Sequence, residues 1–204
     1  MIEWRDISLQ LGETRLFAGW SARVSKGERV RIRGRSGAGK STLFQMALGF
    51  VEPDAGTVRV AGRPLTDDTV GEIRRQIAWV PQTVELGDGT VRQAFHDVVA
   101  FRANQALDAS EAQMRALLER LALPSKTFEQ PVSQLSGGER QRVAFAIAVL
   151  LRREIYLLDE PVAALDPHAT AAVRRVLDDL GPETTVAVIL HGDDWDDYRE
   201  IALT

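Results

Sequence analysis

The sequence predicts an α/β fold in which a mostly parallel sheet is interrupted by a helical insertion. Three observations point there. Strand-like and helix-like segments alternate on both sides of a helical middle. A glycine-rich loop, Gly34 to Gly39, sits between a strand pattern and a helix pattern. A short apolar run, Ile155 to Leu158, ends in two carboxylates, Asp159 and Glu160.

Each element follows from its local pattern. Ile2 to Leu11 mixes apolar and polar residues like a strand, and Arg29 to Arg33 alternates with a period of two. Lys40 to Leu48 reads as a helix that stops near Gly49. Val58 to Val60 and Ile77 to Val80 read as short strands. Thr90 to Ala106 and Glu111 to Leu123 read as helices. The second is opened by Ser110 with Gln113 three residues on, the spacing of a capping box. The stretch Pro124 to Pro131 leads to Leu135, and Glu139 to Leu151 is helical. Ile155 to Leu158 suits a buried strand. Asp166 followed by Pro167 is a helix start, and that helix runs to Gly181 and Pro182. Thr185 to Leu190 is a further buried strand.

Composition narrows the function classes. The chain has 204 residues, 45% hydrophobic and 26% charged, which fits one globular domain and argues against disorder. Its net charge of -4 lacks the basic footprint of a nucleic-acid binder. With no cysteine there are no disulfides, thiolate metal sites or cysteine nucleophiles. The first residues carry charges where a signal peptide needs an apolar stretch. The longest apolar run is Val143 to Leu151, whereas a spanning helix needs about 20 residues. The run is therefore expected to be core, and any attachment to a membrane to go through a partner.

Three motifs carry chemistry. Gly34, Arg35, Ser36, Gly37, Ala38, Gly39, Lys40 and Ser41 match G-x-x-x-x-G-K-[ST]. Glycines let the backbone curl so that N–H groups point at phosphate oxygens, and the following helix adds its positive end. Lys40 reaches the β- and γ-phosphates, and the Ser41 hydroxyl suits Mg²⁺. At the carboxyl end of its strand, Asp159 is placed to hold that ion, and Glu160 to polarise water. Ser136 and Glu139 have capping-box spacing around the bare backbone of Gly137 and Gly138. That helix start is either a second phosphate site or simply a well-capped helix. The arginines at 29, 31, 33 and 35 read as a solvated strand face, with Arg35 adding positive potential to the loop. His96 and His168 read as surface residues, and Phe17 and Trp20 as core.

Taken together, these residues resemble the nucleotide-binding subunit of an ATP-binding cassette (ABC) transporter, over nearly the whole chain. Leu135 to Gln141 reads LSGGERQ, like the family signature. Gln82 falls at the Q-loop glutamine, Ala164-Leu165-Asp166 resembles the D-loop, and His191 matches the switch histidine. The resemblance implies a P-loop NTPase (ABC ATPase) core, residues 1–86 and 153–204, with an N-terminal antiparallel β region and an inserted helical subdomain, residues 87–152. It implies ATP and Mg²⁺ as cofactors, with nucleotide contacts from Gly34 through Thr42 and from Leu11, Ser136, Gly137, Gly138, Gln141 and Asp166. Ser41, Gln82 and Asp159 would hold the metal, and Lys40, Gln82, Glu160 and His191 would serve catalysis.

The same resemblance implies two such subunits, in a homodimer, closing head to tail around two ATP. It also implies an integral-membrane permease docked in the cleft after Gln82, Thr83 to Phe101. The expected location is cytoplasmic, peripheral on the inner face of the membrane, with no nucleic-acid partner. Three departures stand out. Leu11 occupies the position of an adenine-stacking aromatic residue. Ala163 replaces the usual D-loop serine. The short stretch after His191 predicts no C-terminal regulatory domain. Arg120 to Arg142 resembles stand-alone ATPases attributed to export of a metal ion such as iron. A same-fold ATPase that regulates a membrane partner without transport, of cell-division or signalling type, is the alternative. Chromosome-maintenance relatives carry long coiled coils or large insertions, for which the stretch between Ser41 and Leu135 leaves no room. Translation-type relatives carry two cassettes.

Overall fold

The computed structural model describes residues 1–190 and 195–203. The chain divides into two compact units. The first comprises Met1–Ile77, Glu154–Asp159 and Pro182–Thr204, and the second Ala78–Arg153 and Glu160–Gly181.

The first unit holds an antiparallel sheet of four strands, β1 (Ile2–Leu11), β2 (Thr14–Val24), β4 (Ala55–Val60) and β5 (Arg63–Pro64), in the order β2-β1-β4-β5. Its long strand β1 is irregular near Asp6, whose φ is +52°, and the register shifts there against both neighbours. Gly56 passes that kink at φ +98°. A Cβ on it would lie 2.5 Å from the Arg5 carbonyl oxygen, so only glycine fits. The sequence pattern misses β2 because Gly19, at φ +67°, breaks its alternation and only Phe17 and Val24 are buried.

The second sheet has the order β6-β7-β8-β3-β9, from β3 (Arg29–Gly34), β6 (Ile77–Val80), β7 (Ile155–Asp159), β8 (Thr185–Ile189) and β9 (Arg199–Leu203). The pairs β3/β8, β3/β9 and β7/β8 are parallel. Every residue of β7 and β8 is buried, as expected for strands covered on both faces. β9 is a five-residue edge strand that buries only Ile201 and Leu203, too little for the sequence pattern to reveal. On β3, Val30 and Ile32 are fully buried. The expected solvated arginine face is corrected at Arg31, whose buried side chain pairs with Asp196 at 2.5 Å and Glu200 at 3.1 Å. Two carboxylates compensate the cost of removing that charge from water.

Helix α1 (Lys40–Ala47) follows β3, and the Trp4 indole N–H donates to the Leu43 carbonyl at 3.2 Å. Helix α2 (Asp67–Arg74) has no counterpart in the sequence reading. It buries only Ile73, and Gly71 weakens its pattern.

The second unit is mainly helical: α3 (Val91–Ala100), α4 (Glu111–Arg120), α5 (Gly137–Leu150) and α6 (Pro167–Asp178). The helix expected from Thr90 to Ala106 stops six residues early. Phe101 leaves the helical region at ψ 135°, and the Asn104 amide caps the exposed end by donating to the Val98 carbonyl at 2.7 Å. Likewise α4 ends at Arg120, because Ala122 is left-handed at φ +57° and Leu123 N–H closes onto the Leu118 carbonyl. Both groups of the Ser110/Gln113 capping box are in place. Phe95 and Phe128 meet edge to face at 5.9 Å, and Val143, Phe145, Ala146, Ile147 and Ala148 of the apolar run are buried. No helix among the described residues is long and apolar enough to cross a membrane.

Candidate functional site

In the first unit, the carboxyl ends of β3 and β7 lie on the same edge of the parallel sheet. Asp159 is level with Ile189, and Ile189 with Ile32, so β7 and β3 flank β8 in register. Two strand spacings put them ~10 Å apart. The loop after β3 turns through Gly37 at φ +79° and Gly39 at φ +89°. Gly39 is the N-cap of α1 and offers no side-chain cap, so the first N–H groups of the helix point into the loop. Lys40 is only 6% exposed, and its ammonium donates to the carbonyls of Gly34 and Arg35, both at 3.0 Å. Ala38 N–H closes the turn on the Arg35 carbonyl at 3.1 Å. Arg35 and Ser36 are exposed, Ser41 is half-buried and Thr42 is buried.

These residues fit a nucleotide phosphate and a hard cation. A left-handed, glycine-paved loop, an uncapped helix start and one ammonium supply positive charge and N–H donors. The Ser41 hydroxyl and the Asp159 carboxylate are the oxygen donors Mg²⁺ prefers.

Behind the loop lies a contact the sequence does not reveal. A Cβ on Gly39 would meet the Phe17 ring at 2.8 Å and Leu16 at 3.6 Å. Gly37 has the same left-handed backbone but nothing within 4 Å. Alanine at either position carries a left-handed cost of about 1–2 kcal/mol. We therefore expect Gly39→Ala to lower stability in denaturant unfolding clearly more than Gly37→Ala, the excess being the Phe17 clash. Equal losses would mean that the Phe17 packing is not felt.

Phe17 is buried, as expected, whereas Trp20 is only half-buried and leans on Phe17 at 5.6 Å. Leu11 ends β1 opposite Thr14 and is 49% exposed, a surface leucine at the hairpin tip. Leu16, which no motif marks, is the leucine found beside the loop.

In the second unit, the residue after Asp159 adopts a left-handed conformation. Glu160 has φ +52°, an uncommon state for a non-glycine residue and of the kind found at functional sites. Its carboxylate accepts a hydrogen bond from the Gln82 amide at 2.9 Å. Two residues 78 apart in sequence, singled out for different reasons, are thus one hydrogen-bonded pair.

The signature opens α5. The Ser136 hydroxyl accepts from Glu139 N–H at 3.3 Å, and the Glu139 carboxylate accepts from Ser136 N–H at 2.8 Å. The helix begins at Gly137, two residues before the expected start, because Ser136 is its cap. Ser136 and Gly137 are exposed, and a Cβ on Gly137 would meet nothing within 4 Å. Gly138 differs: a Cβ there would lie 2.9 Å from Leu165 and 3.1 Å from the Ala164 carbonyl. Gly138 is small because the D-loop of its own chain packs on it.

Backbone and hydroxyl donors of Ser136 hold the Glu139 carboxyl below its usual pKa. A depressed carboxylate stabilises the fold above its unfolded pKa of about 4.3 and loses that contribution as pH falls through the folded value. We expect Glu139→Gln to be less stable than the parent near neutral pH by ~0.5–1 kcal/mol. The gap should shrink as the pH falls from about 4.3 through the depressed folded pKa. Thermal unfolding across pH 3–7 checks this, and a pH-independent gap would assign it to packing.

Two expected nucleotide contacts make hydrogen bonds within their own chain, Gln141 buried and Asp166 exposed. Gln141 is 8% exposed, and its amide donates to the Pro81 carbonyl at 3.2 Å. The Asp166 carboxylate caps α6, accepting from Ala169 N–H at 2.9 Å, which holds it below the usual range. Both side chains are thus engaged by their own chain. His96, an exposed residue, contacts Glu111 at 2.8 Å, and His168 is exposed. His191 follows β8 and lies outside the described residues.

Comparison with known proteins agrees with this arrangement. The chain is 33% identical over 99% of its length to the methionine import ATP-binding protein MetN of Brucella abortus, covering 55% of that protein. It is 36% identical over 99% of its length to the pyoverdine export ATP-binding/permease protein PvdT of Pseudomonas putida, covering 31% of it. The chain thus spans little more than half the length of the first relative and under a third of the second. Among solved structures, the dimeric ATP-binding cassette MJ0796, in a post-hydrolysis state bound to ADP and Pi, superposes with a TM-score of 0.87 at 28% identity. That match covers 100% of this chain and 94% of the other. A bacterial Atm1-family ABC exporter with ATP bound matches with a TM-score of 0.85 at 26% identity, covering 100% of this chain and 36% of the exporter. Residues 17–163 match the family model described as ABC transporter, and the chain belongs to that family.

Proposed function

We propose that this chain is an ATP-hydrolysing, nucleotide-binding subunit of an ABC transporter. Two copies close head to tail around two ATP and drive a separate membrane permease. The observation that carries the reading is the hydrogen bond between Gln82 and Glu160, one residue beyond the strand-end Asp159. It supports a general base whose orientation is fixed by a neighbouring amide.

In this reading Lys40 and the N–H groups of Gly34 to Thr42 hold the phosphates. Ser41, Asp159 and Gln82 hold Mg²⁺, which when bound neutralises phosphate charge. Glu160 takes a proton from the attacking water at a carboxylate oxygen. His191 positions that water or the γ-phosphate. Ser136, Gly137 and Gly138 of the second copy clamp the γ-phosphate through the Ser136 hydroxyl and the helix-start N–H groups of the two glycines, doing the charge-stabilising work of an arginine finger. The reading divides the chain into a catalytic core, residues 1–86 and 153–204, and a helical subdomain, residues 87–152. The permease docks on Thr83 to Phe101, a stretch whose last side chain is 64% exposed. The chain then works in the cytoplasm, peripheral on the inner face of the membrane. Relatives named for methionine import and for pyoverdine export share this cassette, so the permease supplies cargo and direction.

The test is Mg²⁺-dependent release of phosphate from ATP by the purified chain, with recovery of a many-helix membrane protein on affinity isolation. Absence of turnover both alone and with that partner would overturn the reading. Leu11 and Leu16 offer the base an apolar surface in place of an aromatic platform, which contributes roughly 1–3 kcal/mol. ATP and GTP are therefore expected to bind within about tenfold of each other. Titration of both into a hydrolysis-deficient variant checks this, and a preference beyond about a hundredfold would mean that another residue reads the base.

A further inference from the structure

The signature splits its first turn between two directions. Ser136 and Gly137 face outward, while Gln141, one turn on, is buried and donates to the Pro81 carbonyl at 3.2 Å. Proline has no N–H, so its carbonyl is the one backbone group through which a hydrogen bond can hold this residue. The next residue is Gln82, exposed and donating to Glu160 at 2.9 Å. On the other side of the same turn, Gly138 receives the backbone of Ala164 and the side chain of Leu165, four to five residues beyond Glu160. The start of α5 therefore touches both segments that carry the amide–carboxylate pair. All of these residues belong to the second unit.

We propose that Gln141 is a positioning residue: by holding the Pro81 carbonyl it sets the Gln82 amide against Glu160, so that the signature helix of a chain controls the acid–amide pair of that same chain. The inference rests on the reading of Glu160 as general base. It gives one helix turn two roles, outward toward a second copy through Ser136 and Gly137, and inward toward its own catalytic pair through Gln141. A rigid helix carries any displacement at its outward end to Pro81 with no flexible side chain between except Gln141 itself.

The test is Gln141→Leu, which keeps a similar volume and removes the donor. Mg-ATP hydrolysis by the full chain should show kcat down about tenfold with KM within about twofold of the parent. In a Gln82→Ala background the same substitution should cost less than about twofold, because nothing is left to position. A nucleotide-independent readout accompanies it: the carbonyl ¹³C resonance of Pro81 should shift upfield as its hydrogen bond is lost and the Gln82 backbone resonances should move with it, while resonances within Ile155–Asp159 stay unchanged. Equal costs in both backgrounds, parent-like kcat, or unchanged Pro81 and Gln82 resonances would overturn the inference. A purely structural role would instead raise amide hydrogen exchange throughout α5 and lower stability equally in both backgrounds. A parent protein that fails to hydrolyse Mg-ATP would overturn the underlying function, and the resonance shifts would still report on the Gln141 contact.

Discussion

Replacing Glu160 by Gln is expected to cut ATP turnover by a factor of about 10²–10⁴ while ATP affinity stays close to that of the parent. Gln preserves the volume, and its carbonyl oxygen can still accept the hydrogen bond that Gln82 donates to the carboxylate at 2.9 Å. It also has the same tolerance of the left-handed backbone at φ +52°. What disappears is basicity, the one property a water-activating group needs. The groups proposed to bind phosphate lie elsewhere, on Gly34 to Thr42, so binding should survive. With ATP retained and not consumed, the closed dimer should accumulate and elute earlier in size-exclusion chromatography. Parent-like turnover in this variant would remove Glu160 from the base role. Loss of ATP affinity would instead assign it to metal or phosphate binding.

The parts of the fold legible in sequence are those with strong local chemistry. The phosphate loop is written in glycine spacing, because a left-handed backbone at Gly37 and Gly39 admits few other residues. Buried parallel strands such as β7 and β8 announce themselves as unbroken apolar runs. Capping boxes at Ser110 and Ser136 mark their helix starts. The missed elements lack such signals. β2 is broken by Gly19, β9 is a short edge strand, and α2 buries one side chain. The end of α3 is set by Asn104, a capping group that lies beyond the helix it closes.

The candidate site divides in the same way. Motifs single out candidate residues, but they do not say what each side chain touches. The sequence marks Gln82 and Glu160 separately, and their hydrogen bond emerges only from folding. Gln141 belongs to the signature by sequence, yet burial turns it toward Pro81. Arg31 looked like one of four solvated arginines until Asp196 and Glu200, some 165 positions on, closed around it. Contacts across such separations have no local pattern, so composition and periodicity cannot encode them.

Substituting Ser136 by Arg is expected to stop turnover almost completely while a single chain still binds ATP normally. Ser136 and Gly137 are exposed at the start of α5, and nothing lies within 4 Å of a Cβ placed on Gly137. Arg is therefore accommodated in the isolated chain at the cost of one cap, typically ~1 kcal/mol. In the proposed dimer the same surface receives the γ-phosphate bound by the second copy. A guanidinium there occupies the space of that phosphate and blocks closure. Hydrolysis should fall at least about a hundredfold, and the ATP-dependent dimer should vanish even in a Glu160→Gln background. Gly137→Ala makes a milder version of the test, because it adds one methyl to open space and should lower turnover without lowering stability. Gly138→Ala should do the reverse first, since its Cβ would press on Leu165 and the Ala164 carbonyl of its own chain. The decisive comparison is ATP binding to the monomer at concentrations too low for dimerisation. Loss of affinity there in Ser136→Arg would mean that the signature acts on the nucleotide of its own chain, and head-to-tail closure would be refuted.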